Sequence, residues 1–131
     1  MPSYDISTAA FAIGAPKKWV DNLTAQHALP GIERKHRGVG REFSFDGVLS
    51  VWLIRSLCAD LGVSAWRAAE IAAQLQASSN GSIVLPSGIT VSVDVEAASR
   101  SVQQRLLEAA ESVPRVRRGR PARRPPINEE F

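Results

Sequence analysis

Apolar residues recur at helical spacing along most of this chain, in blocks separated by glycine, proline or serine-rich breaks. Ser7 to Ile13 reads as a short, alanine-rich helix that Gly14 ends. Ala15-Pro16 restarts the chain, with Pro16 suited to a first helical position. The next helix runs to about His27 and carries Trp19, Val20 and Leu23 on one face. Pro30-Gly31 breaks it, and Glu33 to Arg41 reads as a short basic hairpin or wing containing Gly38 and Gly40. Ser44 caps a long helix from about Phe45 to Leu61, apolar on almost every side and therefore central and buried. Gly62 stops it. Ser64 caps a further helix to about Leu75, with Trp66, Ala69, Ile71, Ala72 and Leu75 available for packing. Trp19, Trp52 and Trp66 are all assigned to the core, because each sits in an apolar helical pattern.

Ser78 to Ser82 is rich in turn residues and marks a boundary. Ile83-Val84-Leu85 and Ile89 to Val93, joined by Pro86-Ser87-Gly88, predict a β-hairpin with Ile89, Val91 and Val93 on one face. Asp94 caps a final helix with an apolar stripe of Val95, Ala98, Val102, Leu106, Ala109 and Val113, and Pro114 ends it. Glu96 and Arg100 form a favourable pair one turn apart on that helix. The stripe needs cover, either from the domain itself or from a second copy; a homodimer through residues 82–113 is the expectation. About thirty residues are too few to enclose a ligand pocket on their own. The fold class is thus mainly α, in three segments: 1–77, 78–114 and an Arg/Pro-rich tail, 115–131, expected to be disordered alone.

Charge sharpens this division. Residues 115–131 hold six arginines and two acids, whereas residues 1–114 hold ten bases and eleven acids. The body is close to neutral, so any polyanion-binding surface on it must be a local patch. Cys58 is the single cysteine, lies in an apolar run, and reads as a small core residue. No metal-spaced Cys/His cluster, phosphate-cradling glycine loop or nucleophile–base signature is present in the sequence, so neither catalysis nor a cofactor nor a metal is expected. With no signal peptide and no long apolar span, the expected location is the cytoplasm, on the nucleoid, with no membrane partner.

Several stretches in residues 4–75 carry a resemblance. Tyr4-Asp5-Ile6 precedes the alanine-rich helix; Ala28-Leu29-Pro30 follows the second helix; Gly40-Arg41-Glu42-Phe43-Ser44 joins wing to long helix; Leu61-Gly62-Val63-Ser64 leads to Glu70-Ile71. Their order resembles the MerR-type winged helix-turn-helix, and the excisionases, which share that small fold, fit as well. The chain departs from the family in four ways. Asp21 stands where the family usually has a DNA-contacting arginine, and Leu23 where an aromatic is usual. The long dimerising coiled coil is missing, and no cysteine cluster follows. In the tail, Arg118-Gly119-Arg120-Pro121 resembles the AT-hook, whose flat core lies in a narrow A·T-rich minor groove. A solvated polybasic tail is the alternative.

The resemblance implies a second helix whose first residues enter the major groove. Lys17 and Lys18 would then meet phosphates or guanine edges, and Asn22 an adenine. Cations in a first turn oppose the helix dipole, a placement that makes sense if a polyanion approaches that end. Asp21 would accept from cytosine or stay out of the interface. Arg34, Lys35, Arg37 and Arg41 of the wing would grip the backbone or minor groove, and Arg117, Arg118 and Arg120 would extend the contact. Ordinary solvated surfaces are the plain alternative for all of these. The expected function is a sequence-specific regulator of transcription bound to double-stranded DNA. The alternatives are an architectural or mobile-element protein working with recombination or packaging machinery, and an adaptor that keeps only the fold.

Overall fold

The computed structural model describes residues 2–34 and 40–112. The order is α1 (Ile6–Ile13), α2 (Lys17–Gln26), β1 (Ile32–Glu33), β2 (Glu42–Phe43), α3 (Phe45–Leu61), α4 (Ala65–Ala77), β3 (Ser82–Val84), β4 (Thr90–Ser92) and α5 (Val95–Ser112). The protein is mainly helical, with two small antiparallel hairpins, β1–β2 and β3–β4. Among the described residues no helix is long and apolar enough to cross a membrane.

Local chemistry explains most of the boundaries. The Asp5 carboxylate accepts from the Thr8 amide at 2.8 Å and starts α1. Gly14, at φ 80°, ends that helix, and the amides of Gly14 and Ala15 both return to the Ala10 carbonyl. That double return closes the helix in the manner of a Schellman turn. Ser44 accepts from Gly47 and Ser64 from Arg67, opening α3 and α4. Asp94 accepts from Ala97 at 3.0 Å and opens α5. Gly62, left-handed at φ 69°, stops α3. Pro16 differs from expectation: it stands just outside α2, in extended conformation, rather than in its first turn.

The core forms around α3, whose Val48, Val51 and Ile54 are fully buried. Ser50, also buried, donates to Gln76 Oε1 at 2.7 Å, so its hydroxyl is satisfied by α4. α1 packs on one side of α3, α4 on another, and α5 against both α1 and α3. One continuous apolar cluster therefore joins Ala9, Ala12 and Ile13 of α1 to Ala98, Val102 and Leu106 of α5. Arg105 reinforces this contact: it donates to the Phe11 carbonyl at 2.8 Å, and its guanidinium lies 4.8 Å from the Phe11 ring centroid.

This packing revises two expectations. Of the expected stripe, Ala98, Val102, Leu106 and Ala109 are covered by the chain itself, Val95 is exposed, and Val113 lies outside the described residues. Trp66 is not in the core: it is 66% exposed, because the inward face of α4 is built from Ala68, Ile71, Ala72 and Leu75. Trp19 and Trp52 are half-buried against the core. In the second hairpin Ile89 is exposed, while Val91 and Val93 are half-buried, so the expected three-residue face is only partly inward. The tail, residues 115–131, lies outside the described residues.

Because Leu106 lies in the buried seam between α5 and α1, Leu106→Ala should lower unfolding stability by about 2–5 kcal/mol. Val102→Asp should abolish cooperative unfolding rather than release a folded monomer. Urea denaturation followed by circular dichroism tests both; a folded Val102→Asp chain of wild-type stability would contradict the seam.

Candidate nucleic-acid interface

α1, the turn at Gly14 and α2 form a compact helix pair followed directly by the β1–β2 hairpin. Val20, Leu23 and Thr24 of α2 face the core, and the buried Thr24 hydroxyl donates to the Val20 carbonyl at 2.9 Å. Lys17, Lys18, Asp21 and Asn22 are exposed, and their spacing puts them on one face of the helix. No side chain caps the start of α2, where Pro16 supplies no acceptor. Lys17 Nζ lies 3.3 Å from Ser7 Oγ on α1. Three of the expected contact residues, Lys17, Lys18 and Asn22, thus share one solvent-facing surface.

The hairpin is fixed to the body at its base. Ile32 pairs with Phe43 and Glu33 with Glu42. Gly31, at φ 81°, comes so close to α3 that a Cβ there would lie 2.6 Å from the Gly47 amide nitrogen. Its carbonyl accepts from Ser44 N at 2.8 Å. Of the expected basic residues here, Arg34 is exposed just after β1. Lys35, His36 and Arg37 lie outside the described residues, as do Arg117, Arg118 and Arg120.

Arg41, one of the expected contact residues, is paired within the protein. Its Nη1 is 2.9 Å from Asp21 Oδ1, and its side chain is only 15% exposed against 57% for Asp21. The guanidinium therefore ties the hairpin base to the outer face of α2. Asp21 is thereby explained within the protein: its charge is answered by Arg41 across twenty residues of chain. Arg55, not singled out by sequence, lies over the Trp19 ring at 4.8 Å and joins α3 to α2. At the other end of α2, His27 meets Trp66 with ring centroids 5.2 Å apart. Cys58 on α3 is half-buried; burial raises its thiol pKa above the usual value, and the nearby Arg55 charge only partly offsets this. A thiol held protonated suits a packing residue rather than a nucleophile.

No family model, curated protein or solved structure matches this chain.

The Asp21–Arg41 pair is partly solvated, so a double-mutant cycle with Asp21→Asn and Arg41→Gln should give a coupling of about 0.2–1 kcal/mol. Amide exchange at Glu33 and Glu42 should quicken in either variant. Additive effects with unchanged exchange would mean that the pair does not hold the hairpin to α2.

Proposed function

We propose that the protein is a sequence-specific regulator that binds double-stranded DNA, with α1 and α2 acting as a helix-turn-helix and the β1–β2 hairpin as its wing. The observation that carries the reading is the outer face of α2. Lys17, Lys18 and Asn22 are exposed together there, beside a hairpin that Arg41 anchors to the same helix. Two cations in a first turn cost stability against the helix dipole and have no compensating acid in that turn. A phosphate at this end reverses the sign of that cost, and uncapped helix amides suit the same ligand. The near-neutral body directs attention to this patch, since it has no general excess of positive charge to attract DNA.

In this reading Lys17 and Lys18 grip phosphates or guanine edges, Asn22 reads a base, and Arg34 with the hairpin residues Lys35 and Arg37 holds the neighbouring backbone. Arg41 works indirectly, by setting the angle of the wing through Asp21. The tail arginines, with Arg117, Arg118 and Arg120 at their centre, add affinity beyond the folded footprint. Selection from a random duplex library, followed by footprinting at moderate salt, tests the reading. Recovery of a defined site supports it. Equal binding to all duplexes with bending would favour an architectural protein, and no binding would defeat both.

Once a site is known, Lys17→Ala and Asn22→Ala should each weaken it by about 1–3 kcal/mol while affecting scrambled duplexes less. Fluorescence anisotropy on both duplexes measures the difference; equal losses would reduce these residues to sequence-blind contacts.

Deleting residues 115–131 should weaken binding broadly and lower the slope of log K against log salt by roughly 0.9 for each phosphate that the tail neutralises. An unchanged slope would mean that the tail does not touch DNA.

A further inference from the structure

A groove of about 770 Å³ opens between α3, the end of α4 and the start of α5. Leu49, Leu53 and Leu75 contribute to its apolar lining. Asp46, Asp94 and Glu96 also line it and are exposed, and none of the lining residues is cationic. The one described cation paired with any of these acids is Arg100, 3.9 Å from Glu96. An apolar floor with an acidic rim fits a segment that carries both arginines and apolar side chains.

The chain contains such a segment. Residues 123–131 read Arg-Arg-Pro-Pro-Ile-Asn-Glu-Glu-Phe, with two arginines ahead of Ile127 and Phe131. Geometry allows it to arrive. The groove lies at the first turn of α5, and the tail leaves from the last. The eighteen residues of α5 span about 27 Å. An extended chain covers that distance in about eight or nine residues, which brings Arg123 and its successors to the groove.

We propose that this groove is the docking site of residues 123–131 of the same chain. Arg123 and Arg124 meet the carboxylates of Asp46, Asp94 and Glu96, and Ile127 and Phe131 enter the apolar floor. Glu129 and Glu130 must point away from the rim, which restricts the register. While docked, these arginines are withheld from any other polyanion, so the groove competes with whatever the tail otherwise binds. The docking does not depend on the DNA-binding reading above.

The test uses the full chain without DNA. Nitrogen-15 spectra of wild type and of Ile127→Ser/Phe131→Ser should differ at the amides of Asp46, Asn80, Val95 and Glu96 and agree at Lys17 and Lys18. The differences should be independent of protein concentration. Spectra that coincide at the groove, or that differ mainly elsewhere, overturn the proposal; concentration dependence would assign the tail to a second copy and overturn docking in cis. As a check from the other side, Asp46→Asn/Glu96→Gln should speed trypsin cleavage of the Arg123–Arg124 bond by about tenfold, the factor equivalent to about 1.4 kcal/mol of docking. Equal cleavage rates would count against it.

Discussion

The structure depends on the backbone of Phe43. Its side chain is fully buried, and its main chain is held from two sides. Tyr4 exchanges both hydrogen bonds with it, at 2.8 and 2.9 Å, while Ile32 pairs with it in the hairpin register. The next residue, Ser44, caps α3 and donates its amide to the Gly31 carbonyl. The start of the chain, the hairpin and the central helix therefore meet within two residues. Any shift of Phe43 would unpair Tyr4 just ahead of α1 and displace the hairpin from α2. The close approach of Gly31 and Gly47 leaves no room for a side chain at either position. The hairpin accordingly rises from a fixed base, which is what a surface that must hold a constant angle to α2 requires.

α5 solves the remaining problem of a small core. Helices α1 to α4 leave the outer face of α1 uncovered, and a short helix such as α1 is marginal without burial. α5 returns along α1, and Arg105 adds a hydrogen bond to the Phe11 carbonyl where that helix is near its end. The same return places the first turn of α5 beside α3 and α4 and so creates the acidic groove. Closing the core and forming the groove are consequences of one packing choice. It follows that a groove too large for residues 78–114 alone exists because α3 and α4 supply about half of its wall.

What the sequence made legible was local. Ser44, Ser64 and Asp94 act as caps within three residues of their partners, and Gly14 and Gly62 stop helices through a conformation that glycine favours. The bounds of α3 follow from those signals alone. The exposed face of α2 was equally legible, because Val20 and Leu23 fix its inward side. The rest depends on contacts between distant residues that no periodicity encodes. Asp21 looks out of place beside Lys17 and Lys18 until Arg41 is seen against it. The stripe on α5 signals a need for cover without naming α1 as the cover. Trp66 satisfies a helical pattern yet lies outside it, against His27, because Ala68, Ala69, Ile71, Ala72 and Leu75 already fill the inward face of α4.

The Asp21–Arg41 pair also bears on how a nearly neutral body would discriminate among polyanions. Arg41 would offer a strong, geometry-insensitive attraction if it stood free at the hairpin base. Pairing it with Asp21 removes much of that attraction and places a carboxylate among Lys17, Lys18 and Asn22. Non-specific affinity falls, because it scales with the number of phosphates neutralised. Directional contacts from Asn22 and the lysines lose less, since they depend on the fixed position of α2, which the pair helps to set. Under the proposed function, an acid on this face would trade general attraction for selectivity, a use of repulsion that specificity commonly demands.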